Sequence, residues 1–423
     1  MKRLLLILYS ICVAILFVAC KENSVPDQPV ETITPLIEAE EPTNANPATD
    51  EMPEPPFCGK IAIITNTLLD DVFYSAKSVI EKYGEDKIIH VVWPIFGIDE
   101  QETMIRIVAE LGADPEIKAI IVNTARWGTI GAFEKLRETR EDVYVVYCAP
   151  NLSYNAGDCL QTADLILKTD VVNVYSAIVR QVHKMDAKTF VHYLSQSDDR
   201  IPSIIACQEQ IKHTCNEFGI EYIEETYPVS GFQNYLDYIQ NDFPEVAQKY
   251  GNNAVFFSNG DDCLFISAAI HAGVICLLPH YPSFFYGIVG SDLEPGAIPG
   301  VYSGLLEYFE TEVITYVMGK PYRMYSEQLM ALARPYLEQY DMLGRLSAWP
   351  VDEYFMYTIT AADYAVKWIN GEVPKEGVDI EVLKQLMEDF AGVEVYLTPY
   401  TDEESGETYD NFLLMRMDYI TFE

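Results

Sequence analysis

At 423 residues the chain is long enough for two ordinary domains, each with its own core, which excludes a single small module. Its 65 acidic and 28 basic residues give a formal charge of −37, which makes nucleic acid and anionic lipid headgroups poor electrostatic partners. Nine cysteines with neither a CxxC pair nor regular spacing exclude a zinc ribbon and a disulfide framework.

The first twenty residues carry Lys2 and Arg3, an apolar run from Leu4 to Val18, and then Ala19-Cys20. This is the layout of a bacterial secretory signal, and the run is too short and asymmetric for a permanent span. Phe17-Val18-Ala19-Cys20 resembles a lipobox, which makes Cys20 the expected lipid attachment site and membrane anchor. Losing Lys2 and Arg3 with the signal takes the formal charge from −37 to −39. Residues 21–56 hold eight prolines and nine acidic residues with little apolar material, the composition of an extended tether. The sequence therefore divides into a lipoprotein signal peptide (1–20), an acidic Pro-rich disordered tether (21–57) and a folded body from Cys58. Within the body, Cys148 and Cys159 form the one cysteine pair considered for a disulfide.

Lys60 to Thr65 is a short apolar run of the kind found in strands buried on both faces. Asp70 to Tyr83 places Val72, Phe73, Ala76, Val79, Ile80 and Tyr83 at helical spacing, and Gly84 ends it. Strands at Ile88–Trp93, Lys118–Val122, Val143–Tyr147 and Ala163–Lys168 alternate with helices at Asp99–Leu111 and Thr129–Arg140. Asp170-Val171-Val172-Asn173 leads into a helix to about Met185, which opens a second series with strands at Thr189–Leu194, Glu221–Tyr227, Ala254–Ser258 and Val274–Leu278. Helices at Ile201–Phe218 and Phe232–Tyr250 lie between them. Such alternation means right-handed βαβ units and parallel sheets, here two of them. Further on, 402–406 reads as the turn of a hairpin joining 393–400 to 409–418.

Four strand ends turn abruptly from apolar to polar: Thr65-Asn66-Thr67, Asn123-Thr124-Ala125-Arg126-Trp127, His192-Tyr193-Leu194-Ser195 and Ser258-Asn259-Gly260-Asp261-Asp262. Ligands of open α/β sheets bind outside the carboxyl ends of the strands. The candidate ligand-binding residues are accordingly Asn66, Asn123, Arg126, Trp127, His192, Tyr193, Ser195, Asn259, Asp261 and Tyr281. The other reading of His192 and Tyr193 is interior side chains with satisfied hydrogen bonds. Asp261 and Asp262 serve either a ligand or the cap of a helix starting near Cys263. Trp127, Tyr193, Tyr281 and Phe284 offer flat faces to a base or sugar, or pack between lobes.

The sequence resembles type I periplasmic-binding proteins, and most closely an uncharacterised family of bacterial lipoproteins akin to the basic-membrane-protein nucleoside binders. The residues that carry this are Lys60-Ile61-Ala62-Ile63-Ile64-Thr65, Glu102-Thr103, Lys118-Ala119-Ile120-Ile121-Val122, Lys188-Thr189-Phe190-Val191-His192-Tyr193 and Lys249-Tyr250-Gly251 through Phe256-Phe257-Ser258, with Tyr396-Leu397 and Asp410-Asn411-Phe412-Leu413-Leu414 near the end. The resemblance implies a two-lobed α/β fold, each lobe a parallel sheet flanked by helices. Three interlobe crossings are implied, near Asp170, Pro279 to Gly300, and Trp349-Pro350. Lobe 1 is then 58–170 with 301–348, and lobe 2 is 171–300 with 349–423. Leu194-Ser195-Gln196-Ser197 and Asn259-Gly260-Asp261-Asp262 depart from the family pattern, which implies a different ligand.

No Gly-rich phosphate loop, GxSxG elbow or HExxH occurs, so the reading is of a binding protein rather than an enzyme, with no cofactor and no metal site. The expected function is a lipid-anchored, extracytoplasmic solute-binding protein that closes on a small polar ligand, nucleoside or sugar by class, for an ABC permease. The alternatives are a ligand-sensing surface lipoprotein and an exported enzyme using Asp261 and Asp262.

Overall fold

The computed structural model describes residues 57–66, 70–94, 100–126, 128–150, 156–171, 173–195, 202–227, 243–258, 275–277, 341–402 and 405–423, together with Tyr238, Arg334 and Glu338. The signal, the tether, the proposed crossing at 279–300 and nearly all of 301–340 lie outside the described residues. Among the described residues no helix is long and apolar enough to cross a membrane.

The first sheet contains β1 (Lys60–Asn66), β2 (Ile88–Trp93), β3 (Ile117–Asn123), β4 (Tyr144–Cys148) and β5 (Leu165–Thr169). The Ile, Val and Leu runs of β1, β3, β4 and β5 are buried on both faces, as parallel strands between two helical layers must be, while the edge strand β2 is only partly buried. The connecting helices are α1 (Asp70–Tyr83), α2 (Gln101–Ala113), α3 (Thr129–Arg137) and the single-turn α4 (Ala156–Leu160). The second sheet contains β6 (Thr189–Ser195), β7 (Glu221–Tyr227), β8 (Ala254–Ser258), β9 (Ile275–Leu277) and β10 (Leu346–Ala348), served by α5 (Val174–Lys184), α6 (Pro202–Phe218) and α7 (Phe243–Tyr250). The sheet orders are β11-β12-β5-β4-β3-β1-β2 and β13-β10-β9-β8-β6-β7.

The C-terminal segment supplies helix α8 (Glu353–Asn370), helix α9 (Ile380–Ala391) and strands β11 (Val395–Thr401), β12 (Thr408–Met417) and β13 (Ile420–Thr421). The carboxylate of Asp352 caps α8 by accepting from Phe355 N–H, and Gly371 ends the helix at φ 74°, a conformation open to glycine without strain. Buried residues lie all round α8, because it is sandwiched between the first sheet and neighbouring helices. Strand β12 runs parallel to β5, with Phe412 opposite Ile166 and Met415 opposite Thr169, and the expected hairpin forms as β11 pairs antiparallel with β12.

These pairings correct the expected apportioning of the C-terminal half. Residues 349–417 belong with the first sheet, whereas β10, expected in lobe 1, joins the second sheet with Leu346 opposite Cys276. The physical reason is the edge of β5. Leu165, Ile166 and Leu167 are fully buried, and without β12 their outer backbone groups would form an open edge. The described chain passes between the sheets after β5, after β10, and between β12 and β13. The passage near Trp349-Pro350 runs from the second sheet to the first, the reverse of the expected direction. The described cysteines are free, Cys148 and Cys159 included, so that pairing is corrected too.

Ending the chain after Ala391 should expose the β5 edge, and the expected outcome is self-association, read as higher-order species by size exclusion. A folded monomer would show that β12 is dispensable.

Candidate functional site

Within each sheet the parallel strands follow one pattern. The order β2-β1-β3-β4-β5 recurs as β7-β6-β8-β9-β10, so the strand order reverses between β1 and β3 and again between β6 and β8. Such reversals open a crevice at the carboxyl ends, because the helices on the two sides of the reversal cover opposite faces. The sequence-predicted Asn66 and Asn123 end β1 and β3, and Ser195 and Ser258 end β6 and β8.

The chain passages bring the two carboxyl edges together. Met417 ends β12, and three residues later Ile420 pairs with Ala348 at the carboxyl end of β10. Three residues of extended chain span about 10 Å, so the two edges adjoin on the β12 and β10 side. Trp349 and Tyr419 pack there with ring centroids 6.1 Å apart. The first passage joins them: Thr169 Oγ1 lies 3.3 Å from Glu353 Oε1 and 3.1 Å from the Tyr357 hydroxyl, while Asp170 N–H donates to the Met415 carbonyl at 2.8 Å. Asp170 also opens α5, its carboxylate accepting from Asn173 N–H and Nδ2.

At the first switch point, Asn123 is fully buried. Its Nδ2 donates to the Tyr354 carbonyl at 2.6 Å and to Thr358 Oγ1 at 2.8 Å, clamping the end of β3 to α8. Its Oδ1 is buried with no hydrogen-bond partner among the described residues. Thr65 Oγ1 lies 2.7 Å from His90 Nε2. Burial, with a smaller effect from Lys77, holds the His90 imidazolium below its ordinary range. Arg126, half-buried, donates through Nε to Thr124 Oγ1 at 3.3 Å, and its backbone N–H is held by Thr129 Oγ1. Burial lowers its guanidinium pKa.

In the second lobe His192 and Tyr193 do not reach a surface. His192 is 0 % exposed, with Nδ1 3.0 Å from the Tyr222 hydroxyl and its ring among Phe190, Phe257 and Tyr222. Tyr193 is 1 % exposed, its hydroxyl accepting from Tyr238 at 2.8 Å and its ring against Tyr238, Phe243 and Phe256. The expectation that these two side chains point at a ligand is therefore corrected: they lie inside the lobe and brace β6. Trp127, Asn259, Asp261 and Tyr281 lie outside the described residues, and for Asn66 and Ser195 only the backbone is described.

Lys168, the residue before the end of β5, is partly buried, and burial pushes its pKa down to about 8.

Comparison with known proteins follows this geometry. A family model described as "Protein of unknown function (DUF3798)" matches residues 59–293, more than half of the chain. An uncharacterised protein of Treponema pallidum (strain Nichols) is 27% identical over 147 residues, covering 33% of this chain and 63% of the relative, so the match spans less than two thirds of that relative's length. The crystal structure of a candidate transcriptional regulator from Clostridium difficile 630 is similar in fold, with TM-score 0.66 at 19% identity, covering 86% of this chain and 99% of that one. A periplasmic ribose ABC transporter structure from Conexibacter woesei gives TM-score 0.42 at 12% identity over 87% and 93% of the two chains. The architecture is an α/β fold of two lobes, each built on a mostly parallel sheet.

Tyr193→Ala should cost about 3–5 kcal/mol, as removal of a fully buried aromatic does. Tyr193→Phe, losing one hydrogen bond, should cost about 1 kcal/mol. Urea unfolding checks both, and an alanine variant as stable as the parent would place the ring outside the core.

Proposed function

The chain belongs to the DUF3798 family, and on that footing we propose that it is a solute-binding protein that takes a small polar ligand between the carboxyl edges of its two sheets. The single observation that carries this is the repeated strand order, which sets a switch point in each lobe at edges that a three-residue passage holds together. Asn66 and Arg126 contribute from the first lobe in this reading, with Trp127 beside them and Asn123 clamping β3 to α8 behind them, and Ser195, Asn259, Asp261 and Tyr281 contribute from the second. His192 and Tyr193 act as buried braces behind that edge. The ligand belongs to the sugar or nucleoside class, for which a mixture of amide, carboxylate and aromatic groups is suited.

In the same proposal Cys20 carries a lipid, the acidic segment 21–56 tethers a body whose core begins at the buried Phe57, and the loaded protein meets an ABC permease outside the cytoplasm. Cys20→Ala should then move the protein from the membrane fraction to the soluble fraction; unchanged fractionation rules the anchor out.

Ligand binding to the folded form alone stabilises it by about 2.7 kcal/mol at a hundredfold excess over Kd. At roughly 2–4 °C per kcal/mol, a sugar and nucleoside screen should give a melting shift of about 5–10 °C. The double variant Asn66→Ala/Asp261→Ala should lose that shift. A variant that keeps the whole shift removes the ligand from between the lobes.

A further inference from the structure

The three passages of chain between the sheets meet in one buried cluster. Thr169 ends β5 at the first passage, Trp349 and Glu353 stand on either side of Pro350 at the second, and Tyr419 lies in the third, between β12 and β13. All four are buried, as is Tyr357 one turn further along α8. Trp349, Tyr357 and Tyr419 share one apolar core with Tyr175 of α5. Direct contacts tie part of the cluster: Thr169 Oγ1 donates to Glu353 Oε1 and meets the Tyr357 hydroxyl, and the Trp349 and Tyr419 rings pack on each other.

Two polar groups of this cluster are left over. The Trp349 Nε1–H and the Tyr419 hydroxyl are sealed from solvent and have no hydrogen-bond partner among the described residues. A buried donor or hydroxyl left unsatisfied is costly, and protein interiors nearly always supply a partner, either another protein group or an ordered water. Tyr419 nevertheless senses the carboxylate: burial first, then Tyr175 and Glu353, push its phenol pKa up, yet its hydroxyl does not bond Glu353. Two polar groups within electrostatic reach and beyond hydrogen-bonding reach are the setting of a bridging water.

The groups present fix the chemistry of the occupant. An indole N–H only donates, so the occupant accepts, which excludes a metal cation. An ionised carboxylate only accepts, so the occupant also donates, which excludes an anion. Water does both, and buried waters typically make about three hydrogen bonds.

We propose that an ordered water is bound at the crossing between the lobes, accepting from Trp349 Nε1–H and bridging the Tyr419 hydroxyl to the Glu353 carboxylate. One molecule then ties all three passages, touching the second and third directly and reaching the first through the bond from Thr169 to Glu353. The passages are held by an exchangeable molecule as well as by packing, whatever the switch points bind.

The test uses the purified full chain in detergent. Tyr419→Phe deletes the hydroxyl and keeps the ring. With the water in place the variant strands it and should melt about 2–4 °C below the parent. An unpartnered hydroxyl would instead be relieved, so a melting point equal to or above the parent's overturns the node. Hydrogen exchange followed by mass spectrometry supplies the second readout. In Tyr419→Phe the peptides 169–174, 346–355 and 415–421 should each exchange about tenfold faster than in the parent, with α2 and α3 unchanged. Acceleration confined to 415–421 makes Tyr419 a local packing residue and overturns the shared node. Thr169 and Tyr419 make no direct hydrogen bond, so Thr169→Val and Tyr419→Phe should add if the passages are separate; the node requires the double variant to lose less than the sum. A density map of the parent should show a peak about 2.7–3.2 Å from both Tyr419 Oη and Trp349 Nε1. No peak, or a direct bond from Tyr419 to Glu353 in its place, sinks the proposal.

Discussion

The structure depends on the seating of α8 against the first sheet. Its buried face runs through Phe355, Met356, Ile359, Ala362 and Val366, and the small Ala361, Ala362 and Ala365 let it approach closely. Polar contacts then fix its position along the sheet. Asn123 holds its first turn from β3, Thr169 reaches Glu353 and Tyr357 from β5, and Asp363 receives Lys82 and Tyr83 of α1. Because the bonds from Asn123 Nδ2 to Thr358 and from Thr169 to Glu353 and Tyr357 are buried, sliding the helix by one residue would strand several donors and acceptors at once. A hydrophobic contact alone tolerates such slippage; this combination does not.

The same seating explains how two sheets are held as one unit. The core that begins under α1 continues through Trp349, Val351 and Phe355 into Tyr175, Phe190, Val255 and Phe257 of the second lobe. Three passages of chain enter this zone from strand ends, and each is pinned: Asp170 to Met415 by backbone, Trp349 against Tyr419 by ring packing, and β13 through Gln181, whose Nε2 donates to Ser347 Oγ and Thr421 Oγ1 at 2.8 Å each. The two switch points lie several strands away from these pins.

The parallel alternation was legible because β1, β3 and β4 are Ile- and Val-rich runs at regular spacing and because α1, α6 and α8 show helical periodicity or capping residues. The sheet joined by 408–417 was not. A strand bears no local mark of its partner, and β12 meets β5 across some 240 residues of sequence. The candidate site divides the same way. Asn66 and Asn123 end β1 and β3 as expected, because an abrupt change from apolar to polar marks the end of a buried parallel strand. His192 and Tyr193 look identical in sequence whether they meet a ligand or a protein hydroxyl, and the hydroxyls they meet, those of Tyr222 and Tyr238, stand 30 and 45 residues away.

The folded body starts on one sheet and finishes on the other: Phe57 and Cys58 lead into β1, and β13 ends two residues before Glu423. Cys58 is an exposed free thiol, whereas Cys148, Cys159 and Cys215 are buried and Cys207 is partly so. A donor dye on Cys58 and an acceptor fused after Glu423 therefore report on opposite lobes without touching either switch point. Energy transfer between them is an optical ruler for the angle between the sheets, which makes the chain a ready scaffold for a fluorescent sensor of its own ligand.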